Sequence, residues 1–309
     1  MGETLGETGE FGLIARVTTG RTYGPSVLLG PGDDAAVVAA PDGRVVATTD
    51  VLVEGRHFRL DWSAPYDVGR KAAAQNLADL AAMGARGVAL LVGLGAPAGF
   101  PVADAEELAQ GLADEAAVVG AYVVGGDVVA SDAVFLAVTA LGTLDGRAPV
   151  TRSGAREGDV LVVAGFLGGA AAGLAALRAG RTDLAAVSAQ RVPEPPYDAG
   201  VALAEAGATS MIDVSDGLTG DLGHVAAASG VGFEVDVAAL PWHPAVAEAA
   251  EALGVDPVEW VLGGGEDHAL VATLPAPVAG WTVVGRAVAE PGIRWLGVGA
   301  VPASYDHFA

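Results

Sequence analysis

Cysteine is missing from all 309 residues, which removes disulfides, thiolate metal sites and thiol nucleophiles together. Lysine is almost missing as well. Lys71 is the only one, and the residues before it do not form a Walker-A loop, so a phosphate cradle of that kind is excluded. Basic residues are scarce throughout: 16 Lys and Arg stand against 38 Asp and Glu, a formal net charge of −22. That balance argues against nucleic acid or an anionic membrane as partner, because basic patches supply most of the affinity for both. An anionic substrate would need metal ions as intermediaries. No Gly-x-Gly-x-x-Gly follows a strand-like run, and neither His-Glu-x-x-His nor Gly-x-Ser-x-Gly occurs. The first ten residues lack the basic and apolar regions of a signal peptide, so a cytoplasmic location is expected. The one uncharged run of near-membrane length, Val160 to Leu177, is divided by Gly165, Gly168, Gly169 and Gly173, which predicts strand, turn and helix instead of a membrane span.

What the chain does have is apolar mass and punctuated acids. Its length exceeds what one core usually serves, and 52% hydrophobic residues suffice for two cores. A polar, glycine-containing stretch from Thr151 to Asp159 precedes a fresh strand-glycine-helix pattern, so the expected domains are 1–148 and 149–309. Gly30-Pro31-Gly32-Asp33-Asp34 sets two carboxylates on a turn before the apolar run Ala35 to Ala40. Either this is turn chemistry, or the pair awaits a divalent cation that prefers oxygen ligands. Pro41-Asp42-Gly43 reads as a hairpin turn between strands at Val37 to Ala40 and Arg44 to Asp50, which puts Thr48, Thr49 and Asp50 at a strand tip.

The acids recur. A helix over Tyr66 to Met83, stopped by Gly84, carries Asp79 on the face of Ala72 and Asn76. Asp127 follows Gly125-Gly126 at the expected end of a strand over Ala121 to Val124. Asp213 and Asp216 flank Ser215 between a strand and a helix, where Ser215 or Asp216 as an N-cap is the alternative to a ligand site. Glu266 and Asp267 close a third glycine-rich acidic turn.

Taken in order, Gly32-Asp33-Asp34, Thr49 to Phe58, Asn76 to Ala85, Gly125-Gly126-Asp127, Thr151 to Ala155, Asp213 to Leu218, Gly264 to Asp267 and Tyr305 to Phe308 resemble the thiamine-monophosphate kinase family almost end to end. The resemblance implies a two-domain α/β fold like that of aminoimidazole ribonucleotide synthetase. Its N-terminal mixed sheet would form a homodimer interface, and an α/β domain would follow. By the same resemblance Asp33, Thr48, Thr49, Asp50, Asp79, Asp127, Asp213 and Asp216 would hold Mg2+ ions, with no protein residue acting as nucleophile or base. Gly126, Asp127, Arg152 and Ser215 would meet ATP, and His57, Glu266 and Tyr305 the thiamine monophosphate. Two departures stand out: Thr48 where the family often has Ser, which keeps the oxygen, and His268-Ala269 in place of a common Tyr-Glu. The implied reaction is ATP-dependent formation of thiamine diphosphate. A sister activity of the superfamily, purine-pathway cyclisation or selenophosphate synthesis, and a non-catalytic partner that keeps the fold are the alternatives. Selenophosphate enzymes typically need a reactive Cys or selenocysteine, which this chain lacks.

Overall fold

A computed structural model describes residues 3–31 and 35–305. Gly32-Asp33-Asp34 and Asp306-His307-Phe308 therefore lie outside the described residues. The chain divides into two units, one of the described residues up to Leu80 with Ala85–Gly146, the other of Ala81–Gly84 with the residues from Arg147 on.

The first unit runs α1 (Leu5–Thr18), β1 (Val27–Leu29), β2 (Val37–Val38), β3 (Val46–Val53), α2 (Pro65–Ala82), β4 (Arg86–Ala96), α3 (Val102–Val118), β5 (Tyr122–Ala130) and β6 (Phe135–Thr143). Its four-stranded sheet has the order β3-β6-β4-β5, antiparallel except for the β4–β5 pair. That parallel pair requires a crossover, and α3 supplies it. Alternation along the strands buries Leu52, Leu90, Leu94, Leu136 and Val138 on one face. Ala47, Thr49, Val51, Leu91 and Val129 are exposed. The α2 helix stops where the sequence says it should: Gly84 N–H donates to Ala81 O at 2.9 Å and Ala85 N–H to Leu80 O at 2.9 Å, the paired bonds of a glycine C-terminal motif.

The expected hairpin at Pro41-Asp42-Gly43 does not form. The turn is there, with Gly43 N–H on Ala40 O, but β2 pairs with β1 and β3 pairs with β6. Two strands also run further than expected. β3 continues to Val53, so Asp50 sits mid-strand, and β5 continues through Gly125-Gly126-Asp127 to Ala130.

The second unit runs β7 (Val160–Ala164), α4 (Gly169–Arg178), α5 (Ala186–Arg191), α6 (Tyr197–Glu205), β8 (Ser210–Asp213), α7 (Leu218–Ser229), β9 (Gly232–Asp236), a 3-10 turn at Val237–Ala239, α8 (Val246–Leu253), α9 (Pro257–Gly263), β10 (Leu270–Leu274), β11 (Val283–Val288) and β12 (Gly292–Leu296). The six strands are ordered β12-β9-β11-β7-β10-β8, and only β12–β9 is parallel. The central strands β7 and β10 are buried almost throughout, β7 as an unbroken apolar run and β10 with Thr273 as its one polar residue. Leu203 of α6 packs with Val162, Ala164, Met211, Leu270 and Ala272 to form a core. The uncharged run from Val160 resolves into β7 and α4 as expected, and among the described residues no helix is long and apolar enough to cross a membrane.

Candidate active site

In the first unit the polar residues collect where β3 meets α2. Thr48 and Asp50 lie two apart on β3 and so share a face, while Asn76 and Asp79 lie three apart on α2 and share another. Two hydrogen bonds join them: Thr48 Oγ1 donates to Asp79 Oδ2 at 2.5 Å, and Asp50 N–H to Asn76 Oδ1 at 3.0 Å. Asn76 is fully buried and its amide nitrogen donates to Ala72 O, so both ends of its side chain are used. Sequence reasoning placed Asn76 on this face without giving it that role. Thr49 points the other way, bonding Val138 O and accepting from Thr139 Oγ1.

Asp127 and Gly126 are on β5, at the opposite edge of the same sheet from Asp50. Three strand spacings separate the edges, about 14 Å. Register puts Asp127 in a row with Gly93, Ala137 and Val51, one step from the row of Asp50, so its side chain leaves from the exposed face. The glycine at 126 has a local cause: a Cβ there would stand 1.9 Å from Val92 O of the neighbouring strand.

His57 is half-buried in the loop after β3. Its Nδ1 accepts from Val53 N–H at 3.0 Å, and Lys71 Nζ donates to its carbonyl oxygen at 3.1 Å.

In the second unit Asp213, Ser215, Asp216, Glu266 and Tyr305 are brought together by backbone bonds. The β8–β10 ladder continues past both strands, with Val214 N–H on Ala269 O, His268 N–H on Val214 O and Glu266 N–H on Ser215 O, each at 2.8–2.9 Å. Tyr305 N–H then donates to Asp216 O at 2.9 Å, while the tyrosine itself is 55% exposed. Gly265 permits the close approach, since a Cβ there would meet Ser215 O at 2.4 Å. Glu266 and His268 both take positive φ, 66° and 52°, a strained pair for residues with side chains. Arg152 is exposed, and its carbonyl accepts from Ser229 Oγ at the far end of α7 from Ser215.

Three residues carry electrostatics that sequence reasoning missed. Neither Ser215 nor Asp216 caps α7; Gly217 holds that position. Asp221 Oδ2 instead accepts the N–H groups of Ser215, Asp216 and Gly217, each at 3.1 Å, so the anion that this turn favours is the protein's own. Burial, then the nearby Asp213 charge, pushes the Asp221 carboxyl up to about 7. Asp267 turns inward onto the N-terminus of α4 and accepts from Gly168 N–H at 2.5 Å and Ala170 N–H at 2.9 Å; desolvation pushes it to about 7 against those donors. His268 Nδ1 lies 3.0 Å from Asp213 Oδ2, both side chains buried, so the departure from the family pattern falls on a candidate metal ligand. The only signal for Asp221 was its place in the first turn of a helix, and for Asp267 its adjacency to Glu266.

These two carboxyls predict a pH dependence. With folded values near 7 and unfolded values near 3.8, the folded chain holds protons between those limits that the unfolded chain releases. Stability is therefore gained as pH falls from about 7 toward 4 and lost as it rises, by about 1.4 kcal/mol per pH unit per group. Urea unfolding at pH 5, 6, 7 and 8 checks this. Asp267→Asn, uncharged at every pH, is expected to reduce the slope by close to one group's share.

The donors offered to a cation are hydroxyl and carboxylate oxygens at β3 and α2, and carboxylates at the end of β8 and the turn after it. Among the described residues no three acidic or histidine side chains group closely enough to enclose a metal. Such a donor set fits Mg2+, which takes one or two carboxylates and completes its octahedron with water and phosphate oxygens.

The AIR synthase related protein N-terminal domain matches residues 32–144, and the corresponding C-terminal domain matches residues 156–294. Thiamine-monophosphate kinase of Mycobacterium tuberculosis strain H37Rv is 54% identical over 95% of this chain and 91% of its own length. Among solved structures, thiamine-monophosphate kinase of Stenotrophomonas maltophilia K279a is 31% identical with a TM-score of 0.78, covering 93% of this chain and 95% of that one. AaThiL complexed with AMPPCP and TMP is also 31% identical, with a TM-score of 0.80 over 99% of both chains. The chain belongs to the thiamine-monophosphate kinase family, built from the two AIR synthase related domains.

Proposed function

We propose that this protein transfers the γ-phosphoryl group of ATP to thiamine monophosphate, giving thiamine diphosphate and ADP. The observation that carries the reading is likeness to thiamine-monophosphate kinases along almost the whole chain. An oxygen of the substrate phosphate bonds to the γ-phosphorus while the bond to the β–γ bridging oxygen breaks, and ADP leaves with that electron pair. The acceptor phosphate has a second pKa near 6 and is largely ionised at neutral pH, so no general base is needed. What the reaction needs is approach of two polyanions in an acidic protein. Bound Mg2+ would supply charge neutralisation and in-line alignment of the phosphates.

The residues proposed to hold Mg2+ are Asp33, Thr48, Thr49, Asp50, Asp79, Asp127, Asp213 and Asp216. Gly126, Asp127, Arg152 and Ser215 are assigned to ATP, and His57, Glu266 and Tyr305 to thiamine monophosphate. The roles of residues 1–148 in metal and nucleotide binding and dimerisation, with 149–309 as the second α/β domain, belong to the same proposal. So does a homodimer through the exposed sheet face of Val51, Leu91 and Val129, because an uncovered apolar sheet face marks an interaction surface. Light scattering that gives the mass of one chain, 30.5 kDa, would exclude the dimer.

Incubation with ATP, Mg2+ and thiamine monophosphate, followed by chromatography, is expected to yield thiamine diphosphate stoichiometric with ADP. ADP release with unchanged thiamine monophosphate would overturn the assignment.

Substrate choice gives a further expectation. The thiazolium ring is cationic and the pyrimidine flat, which suits a carboxylate and an aromatic face. Tyr305→Ala is expected to weaken thiamine monophosphate by on the order of 1 kcal/mol or more, leaving ATP nearly unchanged. Equal losses for both ligands, measured by calorimetry, would make Tyr305 structural.

A further inference from the structure

We propose that Lys71 is a positioning residue that fixes the ring of His57 as a single tautomer, a hydrogen-bond donor at Nε2 facing an acceptor atom of the substrate. The substrate half of this inference rests on the assignment of His57 above; the tautomer half does not.

Lys71 is the only lysine in the chain and is 1% exposed, among the largest fully buried side chains described. An ammonium in such a place costs several kcal/mol unless its donors are met, and methionine would fill similar volume without that cost. Packing alone therefore does not account for it. From α2 its Nζ donates to the carbonyl oxygen of His57.

That carbonyl belongs to a tightly bonded loop. Arg56 N–H and His57 N–H both donate to Val53 O, at 3.1 and 3.0 Å, and Gly55 N–H donates to Phe58 O at 2.8 Å. Within this loop the imidazole folds back so that Nδ1 accepts from Val53 N–H at 3.0 Å. An Nδ1 that accepts carries no proton, so the neutral ring holds its proton on Nε2. Holding the His57 carbonyl fixes the backbone from which the ring projects, and with it the direction of the Nε2–H donor. A neutral imidazole N–H held in one direction can donate to a phosphate oxygen or a ring nitrogen without adding a charge, which gives the fixed ring its use.

The test uses the full-length enzyme with 15N-labelled histidine. Wild type is expected to show His57 with an unprotonated Nδ1 and a protonated Nε2. In Lys71→Met the two nitrogens are expected to move toward averaged shifts, with KM for thiamine monophosphate raised about tenfold and KM for ATP within twofold. Because the chain has no cysteine, Lys71→Cys can be alkylated selectively with 2-bromoethylamine while unfolded and then refolded, which restores an ammonium at this position. Recovery of the single tautomer and of KM is expected. Lys71→Gln, with a shorter neutral donor, serves as second variant if Lys71→Met does not fold. A wild-type pattern retained in the folded variant would overturn the positioning role, as would equal rises in KM for both substrates. His57→Ala separates the two halves: unchanged KM for thiamine monophosphate there overturns the assignment of His57 to the substrate, whereas a raised KM in His57→Ala with none in Lys71→Met overturns the role of Lys71.

Discussion

Asp50→Asn is expected to lower turnover at least a hundredfold while leaving the fold intact, and Asp79→Asn to do the same. Asparagine keeps the shape of each side chain, removes the charge and puts an NH2 donor in place of one acceptor oxygen. At Asp50 the backbone bond to Asn76 involves the main-chain N–H and survives the substitution. At Asp79 the amide oxygen still accepts from Thr48 Oγ1. The two hydrogen bonds that join β3 to α2 therefore survive, and each substitution takes the charge from one half-buried carboxylate. On the proposed assignment, transition-state stabilisation would lose a charged ligand for the cations that neutralise the transferring phosphoryl group. That contribution is several kcal/mol, and every 1.36 kcal/mol is tenfold in rate. Steady-state kinetics at saturating Mg2+ with thermal melts of the same preparations check both halves. Excess chelator is expected to silence the wild type likewise, and full activity in chelator would refute the metal reading altogether.

The second large effect falls on stability. Gly69 of α2 and Gly111 of α3 meet where the helices cross: a Cβ on Gly69 would stand 2.0 Å from Leu108 O, and one on Gly111 2.0 Å from Tyr66 O. Both positions are buried and the obstructing atoms are main-chain carbonyls, which cannot swing aside as a side chain can. A methyl group at either position must push the helices apart by more than 1 Å, at the upper end of the 1–3 kcal/mol typical of overpacking. Gly69→Ala and Gly111→Ala are each expected to cost about 3 kcal/mol in urea unfolding. At this crossing the double variant is expected to cost less than the sum, since the first substitution already opens the gap that the second needs. Additive costs would mean that the two glycines relax independently.

Much of this architecture was legible in the residues themselves. Helix α2 could be read from its apolar stripe and from Gly84, and the β7–α4 step from the glycines that cut an uncharged run, because both depend on spacing along the chain. The end of β5 is hidden in the sequence because a glycine there serves a neighbouring strand instead of a turn. Gly126 lets β5 lie against Val92 O, so the strand passes through the glycine pair and carries Asp127 onto the exposed sheet face. The partner of β3 was not readable, since it is β6, some ninety residues on, while the local turn at Asp42 is real. The acids themselves were visible as a set. What each one does was visible only in part, because an Asp that accepts three backbone N–H groups, as Asp221 does, looks in sequence like any helical Asp. His268 shows the same limit from the other side. The sequence marks it as a departure, and only the fold reveals that the ring meets Asp213.

The central claim is direct transfer between two anions, with no protein nucleophile between them. The most direct measurement is the stereochemical course at the γ-phosphorus of ATP made chiral with oxygen isotopes. A single in-line displacement inverts the configuration in the thiamine diphosphate formed, and inversion is the predicted result. Retention would require two displacements through a phosphorylated residue and would contradict the account.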